Sequence, residues 1–301
     1  MDNQIEQKKI DPSKNKQFFS DIKIRLHCCR YWICSQWECT NMAFPFWRIY
    51  HNRTKGARII FDGIETELTE DKIIVIPPNT SYSNNLITKD ARIKTESIEG
   101  EMVKDINEIA HCINNGSFDH LFVHFNLGMP YDYVKPGVYV IDNNAYFADL
   151  LEKIEMNCIH GGDTIDFRAS MNIHILILSV LTEMPGELWM RLDMDKRILF
   201  CQQYVQNNLQ TDLSNSMLAS LAFIATNSFS RLFRENTGES VQQFVMKSRI
   251  ENARLLMHHS DKSIDLIASE CGFCSRHHFS KAFKKTLGMS PGYYKQNVTL
   301  K

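Results

Sequence analysis

Phe229-Ser-Arg-Leu-Phe-Arg-Glu-Asn-Thr-Gly-Glu-Ser240 and Phe279-Ser-Lys-Ala-Phe-Lys-Lys-Thr-Leu-Gly-Met-Ser290 are one phrase written twice, at an offset of fifty residues. Two Phe, two Ser and one Gly coincide, and a basic residue meets a basic residue at two further positions. A fixed internal offset of this kind marks two copies of one small structural unit. In each copy the Phe pair at i and i+4 shares one face of a helix, while Ser230, Arg231 and Arg234, or Ser280, Lys281 and Lys284, fall on other faces. Each helix therefore has an apolar side for a core and a basic side for solvent or a polyanion. The glycine that follows suits the left-handed residue that ends a helix.

The residues ahead of the second copy complete a recognisable arrangement. Ile264, Ile267, Ala268 and Cys271 form a stripe at helical spacing, Ser263 can cap it, and Gly272 stops it just before Ser275, a cap for the next helix. The pattern is helix, short Gly-containing turn, helix. A unit of that size lays its second helix in the major groove of DNA. Leu218, Leu221 and Ala222 supply the first helix of the other copy. Ser240 and Gln243 form a capping box for a long connecting helix carrying Phe244, Val245, Ala253, Leu256 and Met257. Pro291 opens a final short helix at the favoured first position.

Charge divides the chain in the same place. From Lys196 onward fourteen Lys and Arg stand against seven Asp and Glu, a net of +7; the preceding residues carry −8, and the 301-residue whole carries −1. A basic third joined to an acidic body suits a polyanion-binding module attached to something that must not bind polyanion. With 44% apolar and 23% charged residues, the composition excludes a fibre or a wholly disordered chain. The longest near-continuous apolar run, Ile173 to Leu181, is far shorter than the ~18 residues of a membrane span. The polar first sixteen residues contain no apolar signal segment, so a cytoplasmic location with no membrane partner is expected. Nine cysteines, an odd number without paired C-x2-C spacing, predict neither disulfides nor a structural zinc site.

The stretch from Ile22 to Phe125 reads as β-rich. Ala57 to Phe61 and Ile64 to Leu68 flank Asp62-Gly63, a hairpin signal, and Lys72 to Ile76 and His120 to Phe125 supply further strands. A short helix is expected over Glu101 to Cys112. After Val140 the period changes: Phe147, Leu150, Leu151, Ile154 and Cys158 form one helical stripe, and a second helix, Thr164 to Thr182, is apolar nearly all round. These helices either form a dimer interface, with Phe147, Leu150, Leu151 and Ile154 at its centre, or cover the barrel. Pro185-Gly186 opens a linker.

Together, Leu221-Ala222, Phe229 to Arg234, Gly238, Arg249-Ile250, Ala253, Ile267-Ala268, Gly272-Phe273, Phe279 to Lys285, Gly288 and Ser290-Pro291 resemble the signature of the AraC/XylS transcriptional regulators, in order, over about residues 196–297. The resemblance implies an α+β chain of two domains: a flexible arm (1–20), a cupin-like (jelly-roll) β-rich barrel with helices for effector sensing and dimerisation (21–184), a linker (185–195), and an all-α pair of helix-turn-helix units joined by a long helix (196–301). It implies that the two recognition helices enter successive major grooves, ~34 Å apart. Carried onto these positions, it puts Asn227, Ser230, Arg231, Arg276, His277 and Lys281 at base edges, where Arg suits guanine and Asn adenine. Arg234, Ser275, Lys284 and Lys285 become phosphate contacts. Two departures stand out. Ala225-Thr226 replaces the family's usual Ser-Pro, so that Thr226 or Asn227 is left to cap the first recognition helix, and the first unit lacks a turn glycine.

The resemblance extends, less specifically, to the sensor. Enzymatic cupins hold metal through an H-x-H and Glu signature, which is absent here; His120 and His124 are four apart, and no cofactor or metal is expected. The cluster Trp32, Trp37, Phe46, Trp47 and Tyr50, with polar neighbours, suits a small-molecule effector, a sugar among the candidates, and Trp32, Trp37, Trp47, Tyr50, Arg58 and His124 are the expected contacts. The implied partners are promoter DNA, a small-molecule effector, RNA polymerase if the protein activates, and a second copy of the chain. Two alternatives remain open: a cupin-type metalloenzyme with a helical association tail, and a DNA-binding regulator whose N-terminal domain binds a protein.

Overall fold

A computed structural model describes residues 22–86, 97–111, 116–162, 164–189 and 194–297. The arm expected over 1–20 lies outside the described residues. The N-terminal part is an antiparallel half-barrel of β1 (Arg25–Ala43), β2 (Trp47–His51), β3 (Ala57–Phe61), β4 (Ile64–Glu67), β5 (Lys72–Ile76), β6 (Ser81–Leu86), β7 (Ser97–Met102), β8 (Phe118–Asn126) and β9 (Tyr139–Asp142). Along the sheet the order is β4-β3-β6-β1-β8-β2-β5-β9, with β7 also paired to β1. The 19-residue β1 is the hinge of this architecture, pairing first with β8, then with β7 and then with β6. Its register shifts between Leu26 and Cys28, Cys34 and Gln36, and Cys39 and Met42, and such bulges bend a strand enough to serve several partners in turn.

Period two sorts the side chains. On β2, Trp47 and Ile49 face one way while Arg48 and Tyr50 face the other; on β8, Leu121, Val123 and Phe125 oppose His120, Phe122 and His124. The first set packs against α1 (Ala145–Gly161) and α2 (Phe167–Thr182), and the second lines a cavity inside the half-barrel. Because both faces are covered, β2 is buried throughout and so is β8 apart from its last residue. A buried polar joint also ties α1 to the barrel: fully buried Glu155 accepts from Arg53 Nε at 2.6 Å and meets His51 Nδ1 at 3.1 Å.

Two expectations need correction. Glu101 and Met102 belong to β7; a 3-10 turn, Ile106–Glu108, capped by Asp105, follows and runs into helix at 109–111, so the expected helix starts later than Glu101, and its end, at Cys112, lies outside the described residues. Ile106 and Ile109 lie in this helical segment, but Met102, at the same spacing, pairs with Trp32 across the ladder. Phe147, Leu150, Leu151 and Ile154 are buried against the barrel, not offered to a second chain. On α2, Phe167, Met171, Ile175 and Leu178 are exposed while Ile173, Leu176, Ile177 and Val180 face inward. That helix is apolar nearly all round, as read, but only its inner side is covered.

The C-terminal part contains α3 (Lys196–Asn207), α4 (Asn215–Leu221), α5 (Thr226–Thr237), α6 (Val241–His259), α7 (Ile264–Glu270), α8 (Arg276–Leu287) and α9 (Pro291–Asn297). The paired Phe residues of each repeat, Phe229 with Phe233 and Phe279 with Phe283, are fully buried with ring centroids 5.8 and 5.4 Å apart. Around the first pair lie Ile198, Cys201, Leu218, Val241 and Phe244; around the second lie Ile250, Ala253, Ile267, Cys271 and Tyr294. Helix α6 starts from its capping box at Ser240 and Gln243 and contributes to both cores. It is the rod on which the two units are mounted.

Candidate nucleic-acid interface and ligand cavity

The two units differ in their turns. In the second, Ser263 caps α7, Gly272 takes a left-handed φ of 77°, and Ser275 caps α8 by accepting from His278 N–H at 3.2 Å. In the first, Ser214 caps α4, but Phe223 holds the left-handed position, with φ 57°, and Ala225 stands at the start of α5 with no side-chain cap. The leading helices match at an offset of forty-nine and the trailing helices at fifty, so the first turn is one residue shorter; Cys274 is the extra residue. A left-handed Phe is rare because its Cβ crowds the following carbonyl, and its ring stands 94% exposed. Neither Thr226 nor Asn227 caps the first recognition helix. Asn227 lies within its first turn.

Along α5, Asn227, Arg231 and Arg234 are exposed, and along α8 so are Arg276, His277, Lys281, Lys284 and Lys285. Ser230 is half-buried: its Oγ donates to Thr226 O at 3.0 Å and accepts from Asn215 Nδ2 at 3.1 Å. Arg276 Nη1 donates to Asp265 Oδ2 at 3.0 Å, and Arg231 stands 3.9 Å from Glu235. Both pairs are solvent-exposed ion pairs worth about 0–1 kcal/mol, which a guanine edge or a phosphate can displace. The Ser275 oxygen already accepts a backbone N–H, but its O–H proton remains available to a phosphate oxygen.

The cavity brings together four of the six expected effector contacts. Trp32, Trp37, Tyr50 and His124 line it, joined by Phe44, Phe46, Arg48, Tyr82, Asn84 and His120 from the barrel and His258 from α6. Trp47 lies on the opposite side of the sheet, stacked on Phe125 and Trp189 with its Nε1 donating to Asp132 at 3.0 Å. Arg58 lies on β3, held by Asn85 and Glu65. Arg48, Tyr82 and His258 were not anticipated. Strand alternation from Phe46 would have found Arg48, which shares a face with Tyr50 two residues on; His258 carried no such signal because it comes from the other half of the chain.

Electrostatically the cavity is unusual. Burial lowers the pKa of His120 to about 3 and that of His124 and His258 well below the ordinary histidine value, so these rings are neutral at pH 7. Burial likewise raises the phenols of Tyr50 and Tyr82, whose hydroxyls meet at 3.0 Å. Cys28, His124 and His259 could hold a soft metal ion, for their donor atoms lie within 4.8 Å of one another. His124 Nδ1 and His259 Nε2 have no hydrogen-bond partner. The guanidinium of Arg48 lines the same cavity as His124 and opposes a cation there.

The helix-turn-helix geometry has counterparts among known proteins. The family model described as a helix-turn-helix domain matches residues 218–297. The probable transcriptional regulator LumQ of Photobacterium leiognathi is 34% identical over 97 residues, which is 32% of this chain and 39% of that protein. An uncharacterized HTH-type transcriptional regulator of Haemophilus influenzae is 34% identical over 106 residues, covering 35% of this chain and 36% of that one. The chain thus spans well under half the length of these curated relatives. A crystal structure of an apo point variant of ToxT from Vibrio cholerae superposes with a TM-score of 0.50 at 11% identity, covering 94% of this chain and 100% of that one. The fold is shared over both halves. Paired helix-turn-helix units on one connecting helix define the C-terminal part as a protein fold of the helix-turn-helix class. The C-terminal domain of this chain is a helix-turn-helix domain over residues 218–297. No helix among the described residues is long and apolar enough to cross a membrane.

Proposed function

We propose that this chain is a sequence-specific transcriptional regulator that binds promoter DNA through both helix-turn-helix units and is controlled by a small molecule in the barrel cavity. The observation that carries the reading is the mounting of two exposed, basic recognition helices, α5 and α8, on the single rod α6. Asn227, Ser230, Arg231, Arg276, His277 and Lys281 read bases; Arg234, Ser275, Lys284 and Lys285 hold phosphates. The domain limits follow the same division: arm 1–20, sensor 21–184, linker 185–195 and DNA-binding domain 196–301.

The protein works in the cytoplasm as a homodimer, formed through the open face of α2 rather than the buried stripe of α1. If it activates, RNA polymerase is a further partner. Control passes through α6: Glu251 accepts from Asn79 Nδ2 and from Tyr133 O–H, each at 3.3 Å, and Lys247 sits 4.8 Å from the Tyr133 ring centroid. A ligand that changes this seat changes the presentation of both units, with a coupling of about 1–3 kcal/mol. The sugar suggested by the aromatic cluster is one effector class; the cavity's lining supports another, argued below.

Fragments selected from genomic DNA by the full chain, then titrated by fluorescence anisotropy, test the reading. Arg231→Ala and Arg276→Ala should each weaken the selected site by about 1–3 kcal/mol and relax base preference. Lys285→Ala should weaken selected and random DNA alike and reduce the log–log salt slope by about 0.9. Equal nonspecific losses for all three variants, or no fragment bound at low ionic strength, would refute it.

A further inference from the structure

Arg48 has no exposed surface at all, yet its Nε, Nη1 and Nη2 have no hydrogen-bond acceptor. Its guanidinium carbon lies 4.7 Å from the Tyr82 ring centroid and 4.8 Å from that of Phe44. Those rings offset only part of the penalty of holding a desolvated cation. The other unpartnered polar atoms of the cavity are Trp32 Nε1, a donor, and His124 Nδ1, a donor in one tautomer. Among its other polar groups, Tyr50 meets Tyr82, Cys39 donates to Asn84, Asn84 Nδ2 donates to Trp37 O, His120 Nδ1 meets Asn52 Oδ1 and His258 Nε2 meets Tyr294 O–H. Among the described residues no Asp or Glu lines the cavity. It is therefore a chamber in which the Arg48 charge is unopposed and the Arg48 and Trp32 donors are unused, walled by aromatic rings.

On the reading that this cavity holds the effector, we propose that the effector is a small organic anion, a carboxylate on an apolar body, with its oxygens on the Arg48 fork and the Trp32 N–H. A carboxylate brings the negative charge and the acceptors that Arg48 and Trp32 are without, and the guanidinium can meet it with two parallel hydrogen bonds. The aromatic walls take the apolar part. A sugar, being uncharged, would leave the charge of Arg48 unopposed.

The cavity is narrow, about 40 Å3, room for a few waters, and one of its walls is His258. That ring packs 4.9 Å from Phe44 and its Nε2 meets Tyr294 O–H at 2.8 Å, inside the core of the second helix-turn-helix unit. An anion larger than a few atoms enters by displacing His258, and the displacement is passed to α6. Binding and DNA affinity are coupled by this contact.

The test uses the full chain, with octanoate and phenylacetate as probes and 1-octanol and glucose as uncharged controls. Thermal melting and quenching of tryptophan fluorescence give the affinities. At about 1 mM the carboxylates should raise the melting midpoint and the controls should not. Arg48→Met should weaken octanoate roughly 10- to 100-fold, the range for loss of a charge-assisted contact, without lowering the midpoint of the unliganded protein. Arg48→Lys, which keeps the charge but not the fork, and Trp32→Phe should each weaken it by less. Equal binding of octanoate and 1-octanol, retention of octanoate by the Arg48→Met variant, preference for glucose, or no response to either carboxylate would overturn the proposal. Failure of the wild-type chain to bind any selected DNA would strike the regulator reading instead, so the two outcomes are separable.

Discussion

Gly272 offers the sharpest test of how the second helix-turn-helix is held. Its φ is +77°, and a Cβ built there would lie 2.0 Å from the Leu209 carbonyl oxygen and 2.9 Å from the carbonyl carbon, both backbone atoms. That same oxygen accepts from Arg249 Nε at 3.1 Å, so it cannot retreat without breaking a bond to α6. Gly288 has nearly the same φ, +76°, but nothing within 4 Å of the built Cβ. Gly288→Ala should therefore show only the conformational term, about 1–2 kcal/mol for a left-handed non-glycine residue. Gly272→Ala should add roughly 1–3 kcal/mol more for forcing backbone apart, to a total of about 2–5 kcal/mol. Amide hydrogen exchange of the full chain is the assay, because it reads the opening of α7 and α8 directly. Protection there should fall far more in the Gly272→Ala variant, which should also lose specific DNA affinity. Equal effects of the two substitutions would refute the reasoning that contact with Leu209, and not φ alone, makes glycine necessary at this turn.

Three further outcomes are expected. Ala225→Ser should supply the missing cap of α5, whose start has φ −61° and ψ 143°, and raise protection of α5 by about 0.5–2 kcal/mol, measured by the same exchange; no gain would mean the N–H groups of that turn are already satisfied. Met171→Asp on the open face of α2 should shift sedimentation from dimer to monomer with circular dichroism unchanged, and an unaltered sedimentation profile would place the dimer contact elsewhere. Stability should also fall as pH drops below about 6.5. His120, His124, His258 and His259 have folded-state pKa values depressed by burial, to about 3 for His120 and His259, so the unfolded chain binds protons that the folded chain refuses. Their stabilisation is present above the unfolded pKa and is lost on acidification, by up to about 1.4 kcal/mol per group per pH unit. Denaturation midpoints that do not change between about pH 7.5 and 5.5 would contradict this.

The helical third was legible in the chain because helix signals are local. A repeat of aromatic pairs, Ser240, Ser263 and Ser275 at helix starts and Gly238 and Gly288 at helix ends named the elements, and Phe229, Phe233, Phe279 and Phe283 proved to be their cores. The exposed basic residues could be assigned by elimination, since the same periodicity that buries one face frees the other. The β half was legible as hairpin and strands but not as a site. Trp47 and Tyr50 are close in sequence and aromatic, and only the pleat of β2 separates them onto opposite faces. Similarly, the apolar stripe of α1 said that its face is covered, not whether barrel or second chain covers it. What tertiary structure alone decided is the meeting of Arg48 on β2 with His258 at the far end of α6. Residues that distant in sequence share a cavity only because long-range strand pairing and helix docking are settled by the burial of many side chains at once, which no local pattern encodes.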